Sequence, residues 1–310
     1  MRLALRRSWW LMAVAGIACE RQAPARSNDT TSLTTPPPDS VVTVIDVPAA
    51  AWDSAAGPIF LVIGANPQQA AVIVPGLDTT ASLDTVDFKV DAYRAMPVEL
   101  FANGRRLGTA SLGPAISIDV PEDCSAWPVV GLTGTDTSTW TVAFRTDRFQ
   151  PLTIDSLPEL TRADSLKQVM ELARVASAAP GDTVEALKGL PFVVKRAYST
   201  RLPNGIPMVI AEVSRALNQE ANPIQEHLLL IAERDTTRAR DLRLAYLERS
   251  AGGEETLESS ELLLAGVPRG RTEPVVLLAR YVGDGVVYAL LERQPEGRWR
   301  LRWSSPYAGC

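Results

Sequence analysis

The sequence is short of histidine, lysine and cysteine. His227 is the one histidine among 310 residues. That excludes a metal site built from several imidazoles and leaves histidine-dependent catalysis a single candidate. The cysteines are Cys19, Cys124 and Cys310, with no Cys-x-x-Cys pair and no zinc-ligand spacing. No Gly-x-Ser-x-Gly elbow supplies a serine nucleophile. Gly-x-x-x-x-Gly-Lys-Ser/Thr and Gly-x-Gly-x-x-Gly phosphate loops are missing as well, so no cofactor is implied. No period of roughly 20–50 residues repeats, which leaves out solenoids and propellers. An excess of positive charge is also missing. Basic residues number 31 against 36 acidic, for a net charge of −5. There is no basic field to attract nucleic acid, and none is expected as a partner.

What remains is 46% apolar, enough to bury a core in one or two soluble domains. A disordered chain would be poorer in apolar residues and more highly charged.

The front of the chain carries an address. Arg2, Arg6 and Arg7 form a basic segment, and Trp9 to Ala18 is an unbroken run of apolar or small residues. This is the layout of a secretory signal, residues 1–18, and it is too short to span a bilayer. Its end, Gly16-Ile17-Ala18-Cys19, resembles the lipobox of bacterial lipoproteins. The resemblance implies cleavage before Cys19 and lipid attachment at that residue. Gly16 departs from the larger aliphatic residue usual at its position. Cleavage after Ala15, with Cys19 left as a thiol, is the alternative. Residues 19–40 are rich in Pro, Thr and Ser and read as a disordered tether. The lipid would make the membrane a partner and place the body in the bacterial cell envelope, on the periplasmic side or the cell surface.

Export bears on the other two cysteines. Thiols that pair in an oxidising compartment persist as disulfides. Cys310, the last residue, is expected to staple the C-terminus to Cys124. No basic neighbourhood around Cys124 favours a reactive thiol instead.

The body reads as mainly β, α+β overall. Residues 41–150 hold short apolar runs between turn residues and suggest a β-sandwich domain. Val41–Val47, Ile59–Ile63, Ala70–Val74, Val86–Val90, Ala115–Val120, Val129–Leu132 and Trp140–Phe144 are strand candidates. Asn103-Gly104 between two such runs is a hairpin signal whose register would set Leu100 opposite Leu107. Residues 151–189 form a helical connector. Leu166, Val169, Met170, Ala173 and Ala176 recur at helical spacing after a Thr161/Asp164 cap, and Pro180-Gly181 ends the run. Residues 190–310 read as an antiparallel β-meander in a single twisted sheet. Gly283-Asp284-Gly285 would turn one hairpin and pair Tyr281 with Tyr288.

Candidate chemistry is sparse. His227 opens an apolar run and reads as a histidine at the start of a buried strand. Asp78, Asp84, Asp87 and Asp91 match no calcium loop, and a strand would put Asp87 and Asp91 on one face. Glu254, Glu255, Glu258 and Glu261 read as an exposed acidic loop. Arg298, Arg300 and Arg302 alternate with Trp299, Leu301 and Trp303. In a strand this puts the arginines on one face, a candidate anion-binding face, and the apolar groups on the other. The expectation is an envelope protein acting as a non-catalytic binding or structural module, its partner an envelope protein or a glycan. The alternative is a glycan-directed, carboxylate-dependent hydrolase.

Overall fold

In the computed structural model, residues 57–63, 66–75, 82–83, 87–134, 139–181, 184–217, 223–234, 241–253 and 257–310 are described. The signal segment, the lipobox with Cys19, the tether, Val41–Val47, Asp78, Asp84, Glu254 and Glu255 lie outside them. Among the described residues, no helix is long and apolar enough to cross a membrane. The described residues are mainly β, with one α-helix among them.

The first six strands are β1 (Ile59–Ile63), β2 (Asn66–Ile73), β3 (Pro97–Ala102), β4 (Arg105–Ile116), β5 (Val129–Thr133) and β6 (Val142–Arg145). They close into a barrel in the order β1-β2-β5-β4-β3-β6, where the sequence suggested two facing sheets. Closure removes the free edges a sandwich keeps. Phe60, Val72, Leu100, Leu112, Val130 and Trp140 fill the interior. Alternate residues of the same strands, among them Ile59, Ile73, Phe101 and Phe144, face outward onto the next layer.

That layer is the middle sheet. It combines β7 (Phe149–Pro151) with β13 (Glu258–Pro268), β14 (Val275–Val282), β15 (Gly285–Arg293) and β16 (Trp299–Ser304), in the order β16-β15-β14-β13-β7. One face meets the barrel through Leu264, Leu277, Leu290 and Trp303. The other, through Leu262, Val276, Leu278 and Leu291, packs on a second sheet. This outer sheet runs β12-β11-β10-β9-β8, from β8 (Asp155–Ser156), β9 (Val193–Arg201), β10 (Pro207–Leu217), β11 (Ile224–Arg234) and β12 (Leu242–Gly252). Helix α1 (Arg162–Ser177) covers its far face with Leu172, Val175 and Ala176. The part expected as a single sheet is therefore two sheets stacked face to face. Strands covered on both faces need apolar residues at every position. Leu228-Leu229-Leu230-Ile231 and Val275-Val276-Leu277-Leu278 are accordingly buried throughout.

Local expectations are corrected where a bulge or a packing choice intervenes. Asn103 (φ 48°) and Gly104 (φ 67°) turn the β3–β4 hairpin. Leu100, however, pairs with Gly108, because Leu107 is bulged out of the ladder and left exposed. Gly104 also has no room for a side chain, since a Cβ there would overlap the carbonyl of Leu152. In the β14–β15 hairpin Gly283-Asp284 alone makes the turn, so Tyr281 pairs with Val286 and Tyr288 with Ala279. The segment holding Asp87 and Asp91 is no strand. Val90–Tyr93 is a 3₁₀ turn, and Asp87 meets Lys89 as an exposed pair at 3.9 Å. The α1 cap is as expected, with Thr161 Oγ1 accepting from the Asp164 amide at 3.2 Å. Its buried stripe is rotated, because the C-terminal half does the packing. Leu166 and Met170 stay exposed, while Gln168 bonds Ser199 on β9 at 3.0 Å.

Candidate functional site

The two cysteines of the body, Cys124 and Cys310, are joined. A Cys124–Cys310 disulfide closes a loop of 186 residues. Around it the C-terminal tail is laid down as β structure. Ser125 and Gly309 exchange two backbone hydrogen bonds at 2.9 Å, and Ala308 pairs with Val286. Tyr307 Oη donates to Asp284 Oδ1 at 2.9 Å, which raises the phenol pKa.

The arginine strand is partly as expected. Leu291 pairs with Leu301 and Leu290 with Trp303, so Arg302 is the extra residue of a bulge. The bulge reverses the alternation. Trp299 enters the interface between the sheets, whereas Trp303 turns to the barrel side. The large apolar groups therefore do not share a face. Arg298 is exposed. Arg300 and Arg302 both approach the buried carboxylate of Glu292, at 4.0 and 3.6 Å, and Arg271 from the β13–β14 loop reaches it at 2.6 Å.

A second site is built where the interface between the sheets changes from apolar to polar. The rows that bury Ile210, Leu229, Leu262 and Leu278 continue, two residues on, as Glu212, His227, Ser260 and Arg280. These rows lead into a shallow cleft with about 20 Å³ of free space. The outer sheet lines it with Glu212, His227, Glu248 and Ser250, and β13 adds Glu258 and Ser260. His227 Nδ1 lies 3.1 Å from Glu212 Oε1, and its Nε2 lies 3.4 Å from Gln225 Oε1. Arg196 holds the other Glu212 oxygen at 3.6 Å and donates to the Ser260 carbonyl at 3.2 Å. Glu248 accepts from Tyr246 Oη at 2.8 Å and from Arg280.

Two carboxylates of this cleft differ in environment. Burial raises the Glu258 pKa, and the negative charge of Glu248 raises it further. Tyr246 is also raised, by burial first and then by Glu248. Tyr198 and Tyr281, near Glu261, are raised by burial and by that carboxylate. Glu258 and Glu261 thus belong to strand β13 rather than to an exposed loop. Among the described residues no group of three or more His, Cys, Asp or Glu is placed to hold a metal ion.

Of the residues in this cleft, the sequence singles out His227 and Glu258. Glu212 and Glu248 went unnoticed inside Val-Ile-Ala-Glu-Val and Ala-Tyr-Leu-Glu-Arg. A charged residue at the inward register of an otherwise apolar strand is the signal that finds them. Glu99, Glu226, Glu233 and Glu292 follow the same pattern, each buried in a strand and each met by arginine.

No protein-family model, curated protein or solved structure matches this chain.

Proposed function

We propose that the protein is exported, anchored by a lipid at Cys19, and acts in the cell envelope as a non-catalytic binding module. The Cys124–Cys310 disulfide carries the first part of this reading, because such bonds persist in oxidising compartments. The Gly16-Ile17-Ala18-Cys19 segment supports the anchor. For ligand binding the support is the polar lining of the shallow cleft, where carboxylates, a histidine and two serines offer acceptors and donors to a single hydroxyl of a molecule such as a glycan. Most of its carboxylates are already held by arginine or tyrosine, which suits fixed recognition more than proton transfer. The test expresses the full chain in a bacterium with a labelled fatty acid. Label in the membrane fraction should disappear in Cys19→Ala. A wild-type chain that is unlabelled and cytoplasmic refutes the reading.

A second reading, a glycan-directed hydrolase, is favoured by the Glu248–Glu258 pair. A carboxyl whose pKa is raised by burial and by a neighbouring carboxylate can serve as a general acid, and that is the position of Glu258. Turnover of a glycan that is lost in Glu258→Gln would establish it in place of the binding module.

A further inference from the structure

We propose that Arg271, Arg300 and Arg302, gathered around Glu292, form a binding site for a phosphate group. The site stands apart from the cleft and does not depend on the export reading. Glu292 is 4% exposed, and its two oxygens face three guanidinium groups at 2.6, 3.6 and 4.0 Å. One bidentate guanidinium is enough to satisfy a carboxylate. Three cations around one anion leave a local excess of positive charge inside a chain of net charge −5. Such crowding of like charges is unfavourable, and a second anion relieves it.

The geometry of the strand sharpens the argument. Glu292 pairs directly across from Arg300, and the β16 bulge turns Arg302 toward the same carboxylate. Arg302 Nε and Glu292 Oε1 are both buried without a hydrogen-bond partner, so the ion pairs around this carboxylate leave donors and an acceptor unused. The Arg300 side chain is 46% exposed and stands at the outer limit of ion pairing. These two guanidiniums therefore keep donors that Glu292 does not use. Arg298, exposed and two residues before Arg300, extends the face outward. Among the described residues, no other buried carboxylate is met by three arginines. Glu226 has two, and Glu99 and Glu233 have one each. A tetrahedral oxyanion with several acceptor oxygens matches this forked set of donors.

The test titrates inorganic phosphate into the purified, disulfide-bonded protein by calorimetry, with chloride holding the ionic strength at about 0.15 M. Saturable binding is expected. Arg300→Gln, a half-exposed change, should weaken it by about tenfold, the typical worth of one charge-assisted contact. Glu292→Gln removes the competing carboxylate and should tighten binding. If that variant fails to fold, Arg300→Gln still decides the matter. A parallel arm uses phosphatidylcholine vesicles with and without phosphatidic acid. Arg300-dependent vesicle binding would identify the phosphate as a lipid headgroup, and phosphate binding without it would identify a soluble ligand. Failure of phosphate to bind above the chloride background, or equal affinity in wild type and Arg300→Gln, overturns the proposal.

Discussion

Breaking the Cys124–Cys310 bond tests how the tail is held. The bond closes a loop of 186 residues. Loop-closure entropy assigns such a cross-link about 5 kcal/mol, acting on the unfolded chain. The folded state should survive the loss, because the tail keeps other contacts. Ser125 and Gly309 still exchange their two backbone bonds, Val286 and Ala308 theirs at 2.7 and 3.0 Å, and Tyr307 still reaches Asp284. The paired substitution Cys124→Ser with Cys310→Ser should therefore leave the near-ultraviolet circular dichroism unchanged while lowering the thermal midpoint. At about 2 °C per kcal/mol for a body of this size, the drop is roughly 10 °C. The urea m-value should rise, since an uncrosslinked chain exposes more surface on unfolding. Cys310→Ser alone should match the pair. A drop below about 2 °C with native spectra would refute the loop-closure argument.

Other expectations concern buried charge. Glu233→Ala strips the acceptor from Arg293 Nε (2.7 Å) and Trp299 Nε1 (2.8 Å), which tie the middle sheet to the outer one. It should cost about 3–5 kcal/mol in urea unfolding, and Glu233→Gln should cost less. A Glu233→Ala cost below about 1 kcal/mol contradicts this role. The raised pKa of Glu258 has a defined sign. Its folded state takes up a proton more readily than the unfolded chain. The resulting stability is full below the ordinary carboxylate pKa of about 4.3 and is lost as pH rises through the folded value. The wild-type midpoint, measured against Glu258→Gln, should therefore fall as pH rises from about 4 and then level off. Parallel curves for the two proteins would remove the assignment.

Signals confined to a few residues were legible in the sequence. Thr161 and Asp164 marked the helix start, and Asn103-Gly104 marked a turn that two left-handed residues confirm. The disulfide followed from counting thiols. Register was less legible, because one bulged residue shifts every later pair. Leu107 and Arg302 each did this, and the second moved Trp303 to the opposite side of its sheet from Trp299. Pairings between distant segments left no local mark. Nothing in Phe149–Pro151 announces that it will bond to Val267, or that β1 and β6 will close a barrel. Strand β9, where Lys195 and Arg196 follow Val193-Val194 directly, offers no apolar run to mark it. The cleft was missed for a related reason. Its glutamates sit in strands whose neighbours spell core, and only the stacking of two sheets turns one end of that core polar.

The order of the layers differs from the order of the chain. Barrel strands come first, then β7, which bonds only to β13, then the outer sheet, and last β13 to β16. Of these three layers, the middle one is thus the last to be completed at the ribosome. Until it arrives, the outer face of the barrel, with Ile59, Ile73 and Phe144, and the inner face of the outer sheet, with Ile210 and Ile231, have nothing to cover them. Nascent chains in this condition are the ones that aggregate. Cys310 follows all four strands β13 to β16 in the chain, so the covalent lock can close only after the layer that shields both faces has been made.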